Sequence, residues 1–166
     1  TDAFSRMPID HVIEILRRKG MVSKSCNLLS QIYTENTSEY SCNGRSIPAI
    51  PINRGVRQGC PLSMLLFNIG IDPILTEIHS FPDAGIRIEE CKISCLAYAD
   101  DIALISNTHE GLQEMVNNAF KWASWTSKTF NPRKFGYLST TKESEKIYIN
   151  GEEIPIVDDE KGYRYL

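Results

Sequence analysis

Apolar residues in the first part of the chain recur at helical spacing. Ile9, Val12, Ile13 and Leu16 fall on one face behind Pro8, which suits a helix's first turn, and Gly20 stops the run. Ser23 is placed to cap a second helix that turns Leu28, Leu29, Ile32 and Tyr33 inward. The period then shortens. "EYSCNGRSIPAIPI" sets Asn43-Gly44 between two extended runs, a strong hairpin signal. A loop rich in glycine and arginine, "NRGVRQGCPLS", follows. Residues 62–81 are apolar enough for one long, mostly buried helix, with Pro73 kinking it or its neighbourhood.

"GIRIEECKISCLAYADDIALIS" predicts three short strands, the last two meeting at Asp100 and Asp101. Thr108 caps a predicted helix that runs to about Lys128, with Leu112, Met115, Val116, Ala119, Phe120 and Ala123 on one face. "FGYLST" and "KIYINGEEIPI" read as strands, the second folded at Asn150-Gly151. No repeat, low-complexity tract or internal linker interrupts the pattern. Helices alternating with hairpins predict an α+β fold, with helices packed on one face of an antiparallel sheet.

A length of 166 residues suffices for one domain with a real core, or for most of one lobe of something larger. Hydrophobic residues at 42% and charged ones at 23% are ordinary for a globular protein. No apolar run of about eighteen residues occurs, which argues against a membrane span. The opening "TDAFSRMP" is neither a signal nor a transit peptide. It starts without a methionine, and "YRYL" ends the chain in strand-like sequence, so a piece of a longer protein is expected. Five cysteines at 26, 42, 60, 91 and 95 form no CxxC pair, and their odd number argues against a disulfide framework. Histidines 11, 79 and 109 are too scattered to complete a zinc site with them. The chain reads as intracellular, with free thiols.

The net charge of −3 does not advertise nucleic-acid binding, but its distribution is uneven. Residues 1–60 carry eight Lys or Arg against five Asp or Glu, and 61–166 carry ten against sixteen. A basic front and an acidic back suit a nucleic-acid enzyme whose acids include metal ligands; solvated surface charge accounts for them equally well.

The sharpest feature is the carboxylate pair Asp100-Asp101 between two apolar runs, because an unpaired buried charge is costly. Adjacent strand residues point to opposite faces, so Leu96 and Tyr98 share one face and the small Ala97 and Ala99 the other. At a hairpin turn the two aspartates come closer, with Asp100 the direct ligand and Asp101 in support. Hard oxygen donors of this kind suit Mg²⁺, which takes one or two carboxylates together with waters and substrate phosphates. Two such ions can activate an attacking hydroxyl and stabilise the leaving oxygen in phosphoryl transfer. The ordinary alternative is an exposed turn, where Asp is common for local hydrogen bonding. A small Mg²⁺-dependent phosphohydrolase would use the same pair but gives no account of "RQGCPLS".

"YADD" at Tyr98–Asp101, with "GVRQGCPLSMLLFNI" at 55–69, resembles reverse transcriptases, most closely those of non-LTR (LINE-type) retrotransposons. "DAFSRMP" at 2–8 looks like the end of the family's first palm motif, "NPRK" at 131–134 like its fourth, and "YRYL" at 163–166 like the start of the primer-grip hairpin. The order and spacing of these motifs fit, so the resemblance covers nearly the whole chain. It implies a reverse-transcriptase palm up to the start of the primer grip over about 61–166, with a fingers-side or connecting segment over about 21–60. It also implies an RNA-directed DNA polymerase that uses two Mg²⁺ ions (Mn²⁺ as a substitute), an RNA template, a DNA primer and dNTP. The rest of the polyprotein and a nuclear location are expected with it, and a membrane is not.

Carried over by position, the resemblance makes Asp100 and Asp101 the metal-binding aspartates. Phe4 becomes the aromatic under the sugar, where a flat ring crowds a 2′-hydroxyl; a core aromatic is its commoner fate. Asp2 and Ala3 match backbone positions near the triphosphate, since backbone N–H groups suit phosphate whatever their side chains. Gln58 and Gly59 match the pair touching nucleotide and template, glutamine offering donor and acceptor and glycine close approach. Arg57 is either a phosphate contact or a surface charge. Lys134 matches the lysine that protonates departing pyrophosphate. Tyr98 is placed toward template and primer, and Tyr163 and Tyr165 toward the primer, though alternating tyrosines are equally ordinary in a half-buried strand. "PLSMLLFNIGIDPIL" is core that holds the glycine loop rigid.

One departure stands out. The family's first motif carries an aspartate five residues before the aromatic, and that position falls two residues before Thr1. Asp2 is at the wrong offset to replace it, so the 166-residue chain alone is expected to be inactive. A palm that has lost catalysis and binds RNA structurally is the alternative from another class; the intact aspartates count against it. Group II intron and telomerase enzymes share the core chemistry.

Overall fold

The computed structural model describes residues 3–157 except 35, 53, 58, 83, 126–133 and 141–144. Its contacts divide the chain into two units, one up to Ile71 and one from Asp72 onward.

In the first unit a single 3-10 turn, Phe4–Arg6, precedes helix α1, Ile9–Arg18. Pro8 sits at the N-cap with extended backbone rather than inside the first turn. Val12, Ile13, Ile15 and Leu16 are buried, as the spacing requires. The helix closes at Gly20, whose φ of 89° lets Met21 N–H reach the Leu16 carbonyl at 2.9 Å and Gly20 N–H reach that of Arg17 at 3.0 Å. That is a Schellman closure, which only glycine makes without steric cost.

Helix α2, Ser23–Tyr33, departs from expectation at two points. Ser23 lies within the helix and Val22 holds the cap position, with no side-chain hydrogen bond. The buried residue is Cys26, with Leu29, Ser30 and Tyr33 half-buried, while Leu28 and Ile32 are 58% and 39% exposed. The inward stripe is therefore 26, 29, 30 and 33, and the two expected apolar residues stand to one side of it.

Strands β1, Thr37–Cys42, and β2, Arg45–Pro51, form the expected hairpin. Asn43 and Gly44 both have positive φ, 51° and 73°, as a turn matched to strand twist demands. The register shifts between Ser38 and Tyr40, and Ile52 N–H closes the base of the hairpin on the Asn36 carbonyl at 2.7 Å.

Helix α3, Pro61–Ser80, crosses the boundary between the units and runs continuously through Pro73. It is largely apolar, and burial follows one stripe: Ser63, Leu66, Phe67, Gly70, Ile71, Ile74 and Ile78. Met64 and Leu65 are exposed. Length and composition alone would let α3 cross a membrane, a test that core helices of folded domains also pass.

In the second unit, residues 86–104 form two hairpins where three strands were expected. Strands β3, Ile86–Ile88, and β4, Cys91–Ile93, are joined by a turn at Glu89-Glu90, with Glu89 at φ 55°. Strands β5, Cys95–Tyr98, and β6, Asp101–Leu104, make the second. Buried Ser94 separates them, and its carbonyl accepts Ile105 N–H at 2.8 Å. Gly85 N–H then donates to the Ile105 carbonyl at 2.7 Å. Lys92 Nζ donates to the carbonyls of His79 and Phe81 at 3.0 and 2.6 Å. A cation thus satisfies carbonyls at the end of α3, where the helix dipole favours it.

Thr108 caps helix α4, His109–Trp125, its hydroxyl accepting Gly111 N–H at 3.1 Å, as read from the sequence. Strands β7, Tyr148–Ile149, and β8, Glu152–Glu153, fold back at Asn150-Gly151. Val116, Ile147, Ile149 and Ile154 form a buried cluster that Leu104, Leu112, Phe120, Phe135 and Tyr137 cover. The strand expected at 135–140 is reduced to one parallel bridge, Tyr137 to Ile156. Among the described residues the fold is α+β, its antiparallel structure distributed over four two-stranded hairpins.

Candidate active site

The β5–β6 hairpin turns at Ala99-Asp100. Tyr98 pairs with Asp101 across the ladder, and Ala99 adopts a left-handed backbone with φ 52°. Asp100 is therefore a turn residue and Asp101 the first residue of β6. Ala99 leaves the strand alternation, so the expected small-residue face reduces to Ala97. Both carboxylates are exposed, and among the described residues neither takes a side-chain hydrogen bond or ion pair. The opening difficulty of a buried charge is resolved by water. Leu96 and Tyr98 are 57% and 69% exposed, while Leu104 of β6 packs on the α4 cluster. The β5 flank is thus open at Leu96, Ala97 and Tyr98, and the β6 flank from Ile102 to Leu104 is half-buried.

Two exposed carboxylates with no competing cation among the described residues fit a hard divalent ion such as Mg²⁺. The five cysteines are free thiols, as expected.

In the first unit the chain brings Phe4 to the glycine-arginine loop. Val56 N–H donates to the Phe4 carbonyl at 2.9 Å, and Gly55 N–H to that of Met7 at 3.0 Å. A Cβ on Gly55 would lie 2.5 Å from the Ser5 carbonyl oxygen, so the two segments touch backbone to backbone. Ala3 begins the turn that carries Phe4, its carbonyl accepting Arg6 N–H at 3.4 Å. The half-buried Phe4 ring stacks on Phe67 of α3, with centroids 4.5 Å apart and planes within 10°. Gly59 has φ 82° and open space where a Cβ would be.

Arg57 is exposed, with one edge of its guanidinium folded back onto the protein. Its Nη2 donates to the Ile32 carbonyl at 2.9 Å and to Asn36 Oδ1 at 2.8 Å, and its guanidinium lies 5.7 Å from the Tyr33 ring centroid. The Ser63 hydroxyl, 3% exposed, donates to the Arg57 carbonyl.

Lys134 is exposed beside half-buried Phe135. Asp2, Gln58, Tyr163 and Tyr165 lie outside the described residues, as does most of "NPRK". Phe67, Ser63 and Asn36 were not singled out from the sequence. Phe67 sits in an apolar run where every residue reads as core, and only its contact with Phe4 distinguishes it.

A separate groove of about 730 Å³ in the second unit is lined by His109, Gln113, Asn117, Lys146 and Tyr148 among others, none of them a motif residue. His109 Nδ1 lies 3.1 Å from Glu145 Oε2 and its Nε2 lies 3.0 Å from the Lys146 carbonyl. Glu110 completes a trio of potential ligand atoms within 4.8 Å of one another. Hydrogen bonding to Glu153 at 2.7 Å holds Lys146 above the usual lysine pKa.

The chain belongs to the reverse transcriptase (RNA-dependent DNA polymerase) family, which it matches over residues 1–166. Among curated relatives, the Retrovirus-related Pol polyprotein from type-1 retrotransposable element R2 of Nasonia vitripennis is 36% identical over 90% of this chain and 14% of its own length. The type-1 R2 polyprotein of Popillia japonica is 26% identical over 99% of this chain and 24% of its own. The type-2 R2DM polyprotein of Drosophila melanogaster is 25% identical over 99% and 16%. The resemblance to non-LTR elements is borne out, and the chain spans about a quarter or less of these relatives.

Proposed function

We propose that the chain forms the nucleotide- and metal-holding part of an RNA-directed DNA polymerase, within a retrotransposon polyprotein. The observation that carries this reading is the exposed pair Asp100-Asp101 at a hairpin turn, unpartnered among the described residues, in a chain of this family. Asp100 and Asp101 would hold Mg²⁺ from the protein side, and it would supply the charge for activating a primer 3′-hydroxyl and stabilising departing pyrophosphate. A third carboxylate is expected at the first-motif position before Phe4.

The remaining residues position the substrates. Phe4, its plane set by Phe67, stands against the sugar of an incoming dNTP and crowds a 2′-hydroxyl. Backbone N–H groups at Asp2 and Ala3 serve the triphosphate. Gln58 and Gly59 meet nucleotide and template, and Lys134 gives a proton to pyrophosphate. Tyr98, Tyr163 and Tyr165 lie along template and primer. Residues 21–60 belong to the fingers side and 61–166 to the palm, and the protein works in the nucleus.

The test is Asp100→Asn in the full-length protein, which removes charge and keeps shape. Loss of dNTP incorporation on a primed RNA template with unchanged folding supports the reading; near-normal extension rejects it.

A further inference from the structure

We propose that Arg57 is a positioning residue for the incoming nucleotide, a strut that fixes the 55–60 loop against α2 and the base of the β1–β2 hairpin. The proposal rests on the reading above that this loop touches the nucleotide.

Arg57 is tied at both ends. Its Nη2 uses both hydrogens, on the Ile32 carbonyl and on Asn36 Oδ1. The Ile32 carbonyl belongs to the last turn of α2, where carbonyls lack helical partners and the dipole favours a cation. Asn36 is itself anchored, its own carbonyl accepting Ile52 N–H at the hairpin base. On the main-chain side, the Arg57 carbonyl accepts the Ser63 hydroxyl, buried in the first turn of α3, and Cys60 N–H at 3.3 Å. One residue therefore links α2, the hairpin and α3, immediately before Gln58 and Gly59. Tyr33 beneath the guanidinium adds a cation–π contact that favours this placement. A planar fork suits two acceptors at fixed positions, and an ammonium does not copy it. The three N–H donors on Nε and Nη1 are the ones a phosphate contact would use, and the salt dependence below separates that role from the strut.

The experiment is single-nucleotide incorporation by the full-length enzyme on an RNA template with a DNA primer, with template–primer affinity measured against salt. Arg57→Ala is expected to raise KM for dNTP about tenfold, the scale of a hydrogen bond to a charged group, with a smaller change in kcat. Asn36→Ala moves KM the same way, Asn36→Asp restores it by keeping an acceptor, and the double alanine variant is no worse than Arg57→Ala. Template–primer affinity keeps its salt slope. The proposal is overturned if Arg57→Ala lowers that slope by about one while Asn36→Ala is silent, since that marks a phosphate contact. It is equally overturned if neither substitution moves KM. Should Arg57→Ala fail to fold, Arg57→Lys and the Asn36 variants decide the same question. Failure of the polymerase reading shows separately, as incorporation that survives Asp100→Asn.

Discussion

Phe4 and Phe67 lie face to face, ring centroids 4.5 Å apart and planes within 10°. Phe67 is only 1% exposed and held by α3, so it fixes the plane of the half-buried Phe4 ring. The Val56 N–H on the Phe4 carbonyl fixes the backbone beneath it. A ring that discriminates sugars by crowding must not tilt. Phe67→Leu should therefore raise rNTP incorporation relative to dNTP while leaving dNTP incorporation largely intact. The stack itself is worth about 0.5–1.5 kcal/mol, which chemical denaturation reads as the accompanying loss of stability. An unchanged rNTP-to-dNTP ratio would show that Phe4 holds its plane without the stack.

Gly55 and Gly59 both have positive φ but differ in surroundings. A Cβ on Gly55 meets Ser5 backbone at 2.5 Å, whereas Gly59 has open space. Gly55→Ala should cost roughly 2–3 kcal/mol or more, because left-handed strain and a backbone clash act together and neither partner can yield. Gly59→Ala pays only the conformational cost, about 1 kcal/mol. Denaturation midpoints of the two variants check the order. Equal midpoints would mean that the Ser5 contact relaxes.

Elements and turns were legible where local chemistry decides them. Asn43-Gly44, Asn150-Gly151, Thr108 and Gly20 each impose a backbone geometry that tertiary context does not override. The orientation of α2 was not legible, because Leu28 and Ile32 have the right spacing for a buried stripe and packing chose the one through Cys26. The Glu89-Glu90 turn was missed because nothing in two glutamates demands φ > 0. In the site, Asp100, Asp101 and Phe4 stood out by motif. Their supports, Phe67, Ser63 and Asn36, look like any core or loop residue until contacts give them a role.

Gln113 acts as an extra strand edge. Its Nε2 donates to the Tyr148 carbonyl and its Oε1 accepts Tyr148 N–H, each at 2.8 Å. A side-chain amide thereby satisfies the backbone of β7, a strand of two residues that needs such help. Gln113→Ala should cost about 1–3 kcal/mol and speed hydrogen exchange at the Tyr148 amide far more than in the β1–β2 hairpin. Gln113→Glu keeps the acceptor but loses the donor, so it should leave the Tyr148 amide protected and free its carbonyl. Uniform acceleration across the chain in Gln113→Ala would instead mark a global loss of stability.

Asp100 and Asp101 separate activity from folding. Exposed carboxylates without partners contribute little to the folded state, so Asp100→Asn and Asp101→Asn should each change stability by no more than about 0.5 kcal/mol. Polymerisation by the full-length protein should behave differently, with no activity in excess EDTA and recovery on added Mg²⁺. With Asp100, in the turn itself, proposed as the more direct donor, Asp100→Asn should remove activity at any Mg²⁺ concentration. Asp101→Asn, at the first position of β6, should leave a residual rate that rises with Mg²⁺. Titrating Mg²⁺ against single-nucleotide incorporation for both variants distinguishes the two roles. The reverse order of severity would make Asp101 the principal ligand.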